Sequence, residues 1–164
     1  TTTPTPAPAP STAATDLLLS ELPRGYGPAN CEPSELEGGV ATAFVACPAA
    51  PSTGVGPTGG TFARFGSLSE MDGFFDSLAN SEGISSVEGA LEDCAANNDT
   101  RTTYIRESGA AGGQLACFTD PDGYSYLFWT DEGAIAIGYV SQDSTDAAAL
   151  FEWWKGVDFY VANR

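Results

Sequence analysis

The chain has 164 residues, of which 22 are Asp or Glu and only 6 are Lys or Arg, so its formal net charge at pH 7 is −16. Contacts to a phosphate backbone or to anionic lipid headgroups depend on clustered Lys and Arg side chains, and we therefore exclude nucleic acid as a partner. The absence of histidine excludes the Ser–His–Asp and Cys–His arrangements of many hydrolases. Hydrophobic residues make up 42% of the chain, which is enough for one buried core.

Residues 1–15 (TTTPTPAPAPSTAAT) contain only Thr, Pro, Ala and Ser. Such a segment has no large apolar side chain to bury, and its prolines favour the extended polyproline II conformation. We predict a disordered stalk over 1–15 and a single folded extracytoplasmic domain over 16–164. No apolar run approaches the roughly 20 residues that span a bilayer. We expect the domain to be tethered to a membrane by a segment preceding Thr1, either a transmembrane helix or a lipid-anchored cysteine.

Four cysteines, Cys31, Cys47, Cys94 and Cys117, are spread along the sequence. Their spacing fits neither a zinc knuckle nor a CxxC redox pair, so we predict two structural disulfides and no metal site. The sequential pairing of Cys31 with Cys47 and Cys94 with Cys117 is the one we predict, because each bond closes a short loop and stabilises the fold by about 3 kcal/mol. The crossed pairings stay open at this point.

Helix and strand signals begin directly after the stalk. The segment 16–22 (DLLLSEL) predicts a short helix that Thr15 or Asp16 caps and Pro23 ends. Residues 40–47 (VATAFVAC) and 61–65 (TFARF) predict two strands, and the Gly- and Pro-rich stretch 48–60 between them predicts a surface loop.

A capping box marks the next helix. Ser67 can accept from the backbone amide of Glu70 while the Glu70 carboxylate reaches back, which predicts a helix over 68–80. Its apolar positions form one stripe, which consists of Leu68, Met71, Phe74, Phe75 and Leu78.

The second half of the chain predicts four short strands and a closing helix. Strands are predicted at 102–106, 115–118, 124–130 and 134–140, with turns at 109–113, 120–123 and 131–133. Asp143 or Ser144 is predicted to cap a helix from Ala147 to about Tyr160. One face of that helix carries Leu150, Trp153, Trp154 and Val157.

This order of elements predicts an α+β fold with an antiparallel sheet of five or six strands, because short turns join antiparallel neighbours. Two main helices, each with a single apolar stripe, are expected to pack on one face of that sheet.

No sequence motif points to catalysis or to a cofactor. The Gly-rich run 54–60 lacks the GxxxxGK[ST] frame and any lysine, so it is interpreted as a surface loop. The VAIK, HRD and DFG motifs of protein kinases are missing. Lys155, the only lysine, is interpreted as interacting with the C-terminal dipole of the last helix rather than as a base. We expect no enzymatic activity and no cofactor in this chain.

Paired carboxylates are the remaining enzymatic option, since glycosidases need only two at the right separation. The candidates are Glu32, Glu35 and Glu37, or Asp131 and Glu132. Among 22 acidic residues in a small domain such neighbours arise by chance, so no catalytic role is assigned to them.

Oxygen ligands for Ca²⁺ are present in two predicted turns, at Asp120 and Asp122 and at Asp131 and Glu132. A site would form only if both turns lay at the same end of the sheet. Successive hairpin turns lie at opposite ends, so we predict plain β-turns and no metal.

Aromatic residues are concentrated in the strand 124–130 and in the last helix. Alternation places Tyr124, Tyr126 and Phe128 on one face of the strand, and Ser125, Leu127 and Trp129 on the other. Core packing accounts for most of these rings. One left exposed would line a groove for a small apolar or sugar ligand.

Cysteines, turns and aromatic residues together form a pattern over 17–158. Its members are Leu22-Pro23, Gly25-Tyr26, Cys31, Cys47, Phe62, Phe65, Leu68, Phe74-Phe75, Cys94, Gly112-Gly113, Cys117-Phe118, Trp129-Thr130-Asp131 and Leu150-Phe151-Glu152-Trp153-Trp154. This pattern resembles the extracytoplasmic regions of actinobacterial (mycobacterial-type) transmembrane serine/threonine protein kinases and of related exported or lipid-anchored proteins.

The resemblance implies a sensor domain that binds an extracytoplasmic ligand or partner, with phosphotransfer done elsewhere on a longer chain. The resemblance does not identify any ligand-binding residue in this chain. Ligand-driven dimerisation is the expected way to pass on occupancy, so a homodimer is anticipated. The alternative is an exported lipoprotein or cell-envelope interaction protein without enzymatic activity.

Overall fold

The computed structural model describes residues 12–52, 54, 56–84, 88–106 and 108–157. Its helices are α1 (Thr12–Ser20), α2 (Leu68–Ser81), α3 (Ala147–Lys155) and a 3-10 helix (Leu91–Cys94). Its strands are β1 (Glu32–Pro33), β2 (Ala41–Cys47), β3 (Gly59–Phe65), β4 (Thr100–Ile105), β5 (Ala111–Thr119), β6 (Ser125–Asp131) and β7 (Ala136–Gln142). Among these helices, none combines the length and the apolar character needed to cross a membrane.

The strands form one antiparallel sheet in the order β1-β2-β3-β7-β6-β5-β4, which confirms the α+β prediction. The sheet has seven strands rather than five or six. The strand that the sequence did not indicate is β1, which pairs Glu32 with Ala46 and Pro33 with Val45. Both β1 residues are exposed, so this edge strand is held by backbone pairing and leaves no alternating hydrophobic pattern to read.

The prediction that both main helices pack on one face of the sheet is wrong. Phe128 and Trp129 are neighbours in β6 and point to opposite faces, yet they are 0% and 1% exposed. Helix α2 covers the Phe128 face through Met71 and Phe75. Helices α1 and α3 cover the Trp129 face. Both faces of the sheet carry large apolar side chains, so both need a helical cover.

Helix α1 begins at Thr12, four residues before the predicted domain boundary. Thr15 is buried together with Leu18, because this turn of the helix packs on β2 and β3. Residues 12–15 therefore belong to the domain, and 1–11 of the predicted stalk lie outside the described residues. Just beyond the helix, the buried Glu21 accepts a hydrogen bond from the Arg64 guanidinium at 2.7 Å, which joins α1 to β3.

Helix α2 has the predicted start. The Ser67 hydroxyl accepts from the backbone amide of Glu70 at 3.2 Å and donates to the Glu70 carboxylate, so the structure shows the first of the two bonds of the predicted capping box. Met71, Phe75 and Ala79 are buried, whereas Leu68, predicted in the apolar stripe, is 45% exposed.

Other boundaries differ from the sequence prediction. Strand β5 begins at Ala111, so Gly112 and Gly113 lie in the sheet and not in a turn, and β3 begins at Gly59 within the predicted loop. Asp146 caps α3 by accepting from the amide of Ala149 at 3.0 Å, rather than Asp143 or Ser144. That helix ends at Lys155 with Gly156 as its C-cap, and its predicted extension over 158–160 lies outside the described residues.

Both disulfides form with the predicted sequential pairing, Cys31–Cys47 and Cys94–Cys117. The first joins the segment before β1 to the end of β2. The second ties the end of the 3-10 helix to β5 near the C-terminal end of that strand, so each bond fixes a segment with little regular secondary structure to the sheet.

Tyr26 packs in the core on the α1 and α3 side, where its ring centroid lies 5.3 Å from that of Phe62 and 6.5 Å from that of Trp153. Its hydroxyl is buried and has no hydrogen-bond partner among the described residues. Burial raises the pKa of this phenol, so the group stays neutral. A buried polar group that makes no hydrogen bond lowers stability.

We expect Tyr26→Phe to raise the free energy of unfolding by about 1 kcal/mol, because it removes an unsatisfied buried hydroxyl. Tyr104→Phe is the matched control: the Tyr104 hydroxyl donates to the Thr130 carbonyl at 2.7 Å, and its removal is expected to cost about 1 kcal/mol. Urea unfolding of the oxidised chain measures both changes. A clear loss of stability in Tyr26→Phe would contradict the expectation.

Candidate functional site

A cleft of about 630 Å³ opens at one edge of the sheet. Strands β4 and β6 are both antiparallel to β5, so their carboxyl ends lie at this same edge. The C-terminal end of α3 and the 3-10 helix complete the walls. The volume falls within the roughly 300–1,000 Å³ that small-molecule sites occupy.

Apolar side chains form the floor and one rim of the cleft. Trp129 lies at the floor and is 1% exposed. The rings of Tyr104 and Trp154 meet edge to face, with centroids 5.0 Å apart. Leu91 adds an aliphatic wall, and Ile105 at the rim is 76% exposed, the highest value among the large hydrophobic residues that the structure describes as exposed.

A buried ion pair fixes the polar side of the cleft. The Arg106 guanidinium donates to Asp131 Oδ2, and the two side chains are 33% and 2% exposed. The other oxygen of Asp131 accepts from the backbone amide of Ala134 at 3.0 Å. Both carboxylate oxygens are thus engaged below the surface, and the partly exposed Arg106 side chain is one of the residues that line the cleft.

The Tyr104 side chain in the cleft wall is a neutral phenol that donates a hydrogen bond. Its hydroxyl hydrogen-bonds to the carbonyl of Thr130. Burial, and then the negative charge of Asp131, raise the pKa of the phenol well above its ordinary value. The group therefore serves as an apolar and hydrogen-bonding surface, not as a base near neutral pH.

Lys155 lies in the last turn of α3, where sequence analysis placed it, and it lines the cleft. Its Nζ lies 2.5 Å from Glu152 Oε1 and 5.3 Å from the ring centroid of Phe151. The Lys155 and Glu152 side chains are 47% and 67% exposed. Such a pair contributes little to stability because water screens it.

Gly112 sets the position of Tyr104. A Cβ built on Gly112 would lie 2.2 Å from Cε2 of the Tyr104 ring, which is far inside van der Waals contact. The ring therefore packs directly on the backbone of β5, and this close approach places Tyr104 at the cleft wall.

We expect Gly112→Ala to destabilise the protein by about 1–3 kcal/mol and to displace the Tyr104 ring, because the added methyl group overpacks this contact. Gly73→Ala is the control, since Gly73 lies in α2 with open space at its Cβ position, and alanine in an exposed helix stabilises by about 1 kcal/mol. Near-ultraviolet circular dichroism and urea unfolding report the two effects. Equal behaviour of the two variants would contradict this role of Gly112.

The acidic residues singled out from the sequence do not assemble into one site. Asp120 and Asp122 lie before the start of β6, whereas Asp131 and Glu132 lie at its end, so the two turns are at opposite ends of the strand. The described residues contain no group of three or more acidic or cysteine side chains placed to hold a metal ion. Of the remaining candidates, Glu32, Glu35 and Glu37 are all exposed, whereas Asp131 is buried in its ion pair.

The aromatic residues of β6 alternate as predicted. Leu127 and Trp129 are buried on the α3 side, and Phe128 is buried under α2. Tyr126 lies on the α2 side but is only half-buried, stacked on Phe118 with ring centroids 4.6 Å apart. Tyr124 is 37% exposed.

A smaller apolar groove of about 200 Å³ lies on the same side of the sheet as α2, between that helix and β2. Phe44, Phe74, Leu78 and Tyr139 form much of its lining. Its volume is below the usual range for small-molecule sites, so the larger cleft is the better candidate.

Asp120 organises the turn before β6. Its Oδ1 accepts from the amides of Tyr124 at 2.9 Å and Asp122 at 3.1 Å, and its Oδ2 accepts from the Tyr126 hydroxyl at 2.9 Å. These hydrogen bonds lower the pKa of the Asp120 carboxyl, and the bond from the Tyr124 amide has the largest effect. Burial and the bond to Asp120 raise the pKa of Tyr126 to about 12.

A carboxyl group whose pKa is lower in the folded state than in the unfolded chain stabilises the fold when it is ionised. This stabilisation is fully present above the pKa of the unfolded chain, which is about 3.9 for Asp. It is lost as the pH falls through the lower pKa of the folded state. We expect Asp120→Asn to lower stability at pH 7 and to converge with the parent chain at acidic pH, where the Asp120 carboxyl is protonated in the folded and the unfolded states. Asp122→Asn, in the same turn, is the control. Urea unfolding from pH 2 to 7 makes the comparison, and a pH-independent difference would contradict it.

Sequence analysis considers Trp129 and Trp154 as aromatic residues that could line a groove, Asp131 as a paired carboxylate or Ca²⁺ ligand, and Lys155 as a partner of the helix dipole. It does not place the two tryptophans, Asp131 and Lys155 in one site, and it assigns no binding role to Tyr104, Ile105 or Arg106. One signal in the sequence could have indicated Arg106. Basic residues are rare in this chain, so an isolated arginine at the end of a predicted strand was a candidate for a specific ion pair or ligand contact.

Comparison of the chain with family models, with curated proteins and with solved structures gives no match.

Proposed function

We propose that this chain is a non-catalytic extracytoplasmic binding domain, tethered through its N-terminal side to a membrane protein, and that the cleft at the end of β4 and β6 holds its ligand. The observation that carries the proposal is the cleft itself: an aromatic floor, one exposed aliphatic rim and two basic side chains lie in one cavity of ligand size.

Two further features support an extracytoplasmic binding role. Disulfides persist in oxidising compartments, and this chain has two. One of them ties the 3-10 helix, which carries Leu91 of the cleft wall, to β5. A wall held in this way is ordered before the ligand arrives, which lowers the entropic cost of binding.

The membrane protein we propose is a serine/threonine protein kinase. This part of the proposal rests on the resemblance of the pattern over 17–158 to kinase extracytoplasmic regions. Binding in the cleft would then change how two copies of this domain associate with each other. That change would alter the distance between the two kinase domains to which the copies are joined. The coding sequence upstream of Thr1 tests this point: an apolar segment preceded by a kinase domain supports it, and a lipidated cysteine instead indicates the exported lipoprotein.

Ligand binding is tested by a thermal-shift screen of the oxidised chain against sugars, cell-wall fragments, lipids and divalent cations. A ligand present at a hundredfold excess over its Kd stabilises the folded state by about 2.7 kcal/mol. We expect at least one compound to raise Tm.

Two matched variants locate the binding site of any such compound. Ser108 lines the cleft and is exposed, so Ser108→Phe is expected to block the cavity and abolish the shift. Ser77 is exposed on α2, across the sheet, so Ser77→Phe is expected to leave the shift intact. A shift that survives in Ser108→Phe would place binding elsewhere and refute the cleft as the site.

A further inference from the structure

We infer that the open side of β4 binds an extended, basic segment of a partner protein, which adds a strand to the sheet and places an apolar side chain in the neighbouring cleft. The open side of β4 consists of the backbone groups of Thr103 and Ile105 that point away from β5. The inference rests on the proposed function, because it takes the cleft to be part of the binding site and adds the class of its partner.

The hydrogen bonds around β4 show which of its backbone groups face outward. Strand β4 is last in the order of the described sheet, where it pairs with β5. The amide of Gly89 donates to the carbonyl of Arg101 at 3.2 Å, so the backbone groups of Arg101 face away from β5. Because these groups alternate between the two sides of a strand, those of Thr103 and Ile105 face outward as well. Arg106, the next residue, donates its amide back across the β4–β5 hairpin, as this alternation requires.

This side of β4 is unpaired and unguarded beyond its first residues. Thr103 and Ile105 are exposed, and among the described residues the one hydrogen bond to their outward groups comes from the adjacent Thr102 hydroxyl at 3.4 Å. The strand at the other edge, β1, has only two residues, Glu32 and Pro33. Short length, charge and proline guard the edges of natural sheets. The outward side of 103–105 has none of these features, so it is free to pair with an added strand.

The chain itself shows that the outer side of β4 accepts a second backbone. The segment at Gly89 lies against the start of the strand through its hydrogen bond to Arg101. A Cβ built on Gly89 would lie only 2.2 Å from Cγ2 of Thr100, so the two backbones approach closely. A partner strand would continue this contact along the rest of β4.

The cleft offers a pocket for a side chain of the added strand. Tyr104 and Ile105 of β4 line it together with Leu91 and Trp154. An added strand would lie about 4.8 Å from β4, and every second side chain would point to the face on which the cleft opens. A pocket beside an open strand is the arrangement in which backbone hydrogen bonds give affinity and side-chain contacts give specificity. Ile105, which is 76% exposed, would be covered by such a partner.

The charges around the cleft favour a basic partner. The two basic side chains of the lining are both paired, Arg106 with the buried Asp131 and Lys155 with Glu152. Glu132, which follows Asp131, is exposed and takes part in no ion pair among the described residues. The balance of formal charge at this end of the sheet is therefore negative.

The electrostatic environment of Tyr104 agrees with this balance. After burial, the charge of Asp131 has the largest effect in raising the pKa of the phenol, and Glu132 adds to it, while Arg106 opposes both. The whole chain carries a net charge of −16. A second copy of the chain would therefore be repelled from this surface, whereas a basic segment would be attracted to it.

Three blocked peptides test the inference by isothermal titration calorimetry on the oxidised full chain at low salt. The first is basic, acetyl-KVTVTVK-amide, and the second is its acidic counterpart, acetyl-EVTVTVE-amide. The third is the basic peptide with N-methylated valines and threonines, which keeps the side chains and removes their backbone donors. We expect the basic peptide to bind at least about tenfold more tightly than either of the others. Added salt is expected to weaken its binding, because salt screens exposed charges.

Hydrogen exchange of single amides, followed by NMR, reports on the strand pairing directly. The amides of Thr103 and Ile105 point outward, so the bound basic peptide is expected to slow their exchange. The amide of Tyr104 points to β5, where it is paired with Gly113. Its exchange is expected to change little and serves as the internal control.

Matched variants separate the open side of β4 from the rest of the surface. Ile105→Lys places a charge on the exposed edge and is expected to weaken the basic peptide at least about tenfold. Val40→Lys makes the same change of net charge at another exposed hydrophobic residue, outside the cleft lining, and is expected to leave binding within about twofold. Glu132→Gln is expected to weaken binding about threefold. Glu35→Gln, at an exposed position near β1, is its control.

Several outcomes would overturn the inference. These are equal or tighter binding of the acidic peptide, unchanged exchange at Thr103 and Ile105, equal losses in Ile105→Lys and Val40→Lys, and peptide binding that Ser108→Phe does not weaken. Failure of the basic peptide to bind would also overturn it, and a screened compound that loses its thermal shift in Ser108→Phe would then still support the proposed function. A dimer in analytical ultracentrifugation that Ile105→Lys dissociates would replace the partner segment with a second copy of this chain.

Discussion

The burial of β6 on both of its faces is the constraint on which the rest of the structure depends. Phe128 and Trp129 are adjacent and point in opposite directions, and both are almost completely buried. A strand of this kind needs a cover on each side, so α2 packs on one face and α1 with α3 on the other. The position of α3 then brings its C-terminal end to the carboxyl end of β6, where the cleft lies.

The ion pair between Arg106 and Asp131 links this core to the cleft. Removing a carboxylate from water is costly unless a counter-charge and hydrogen bonds compensate. Asp131 has both, from Arg106 and from the amide of Ala134. The same pair that satisfies a buried charge at the end of β6 therefore also holds a partly exposed guanidinium at the cleft wall.

Several parts of the fold follow from residues close together in the sequence. The start of α2 is set by Ser67 and Glu70, and the antiparallel hairpin of β5 and β6 by the short turn that Asp120 organises. Strand β1 and the start of β5 were not predictable in this way. Glu32 and Pro33 carry no hydrophobic pattern, and Gly112 lies at an irregularity in the pairing of β4 with β5, which depends on a strand distant in the sequence.

The sequence by itself determined the α+β class, the presence of two disulfides, most of the strands and the alternation in β6, and it favoured the sequential cysteine pairing that the structure shows. These depend on composition, on short loops and on contacts within a few residues, all of which can be read locally. The tertiary structure decided which face each helix covers and which side chains meet in the cleft. Tyr104, Arg106, Asp131 and Lys155 lie in three separate segments, and only the sheet order and the position of α3 bring them to the same edge. An amphipathic stripe shows that a helix must be buried, but it carries no information about which of two apolar faces will bury it.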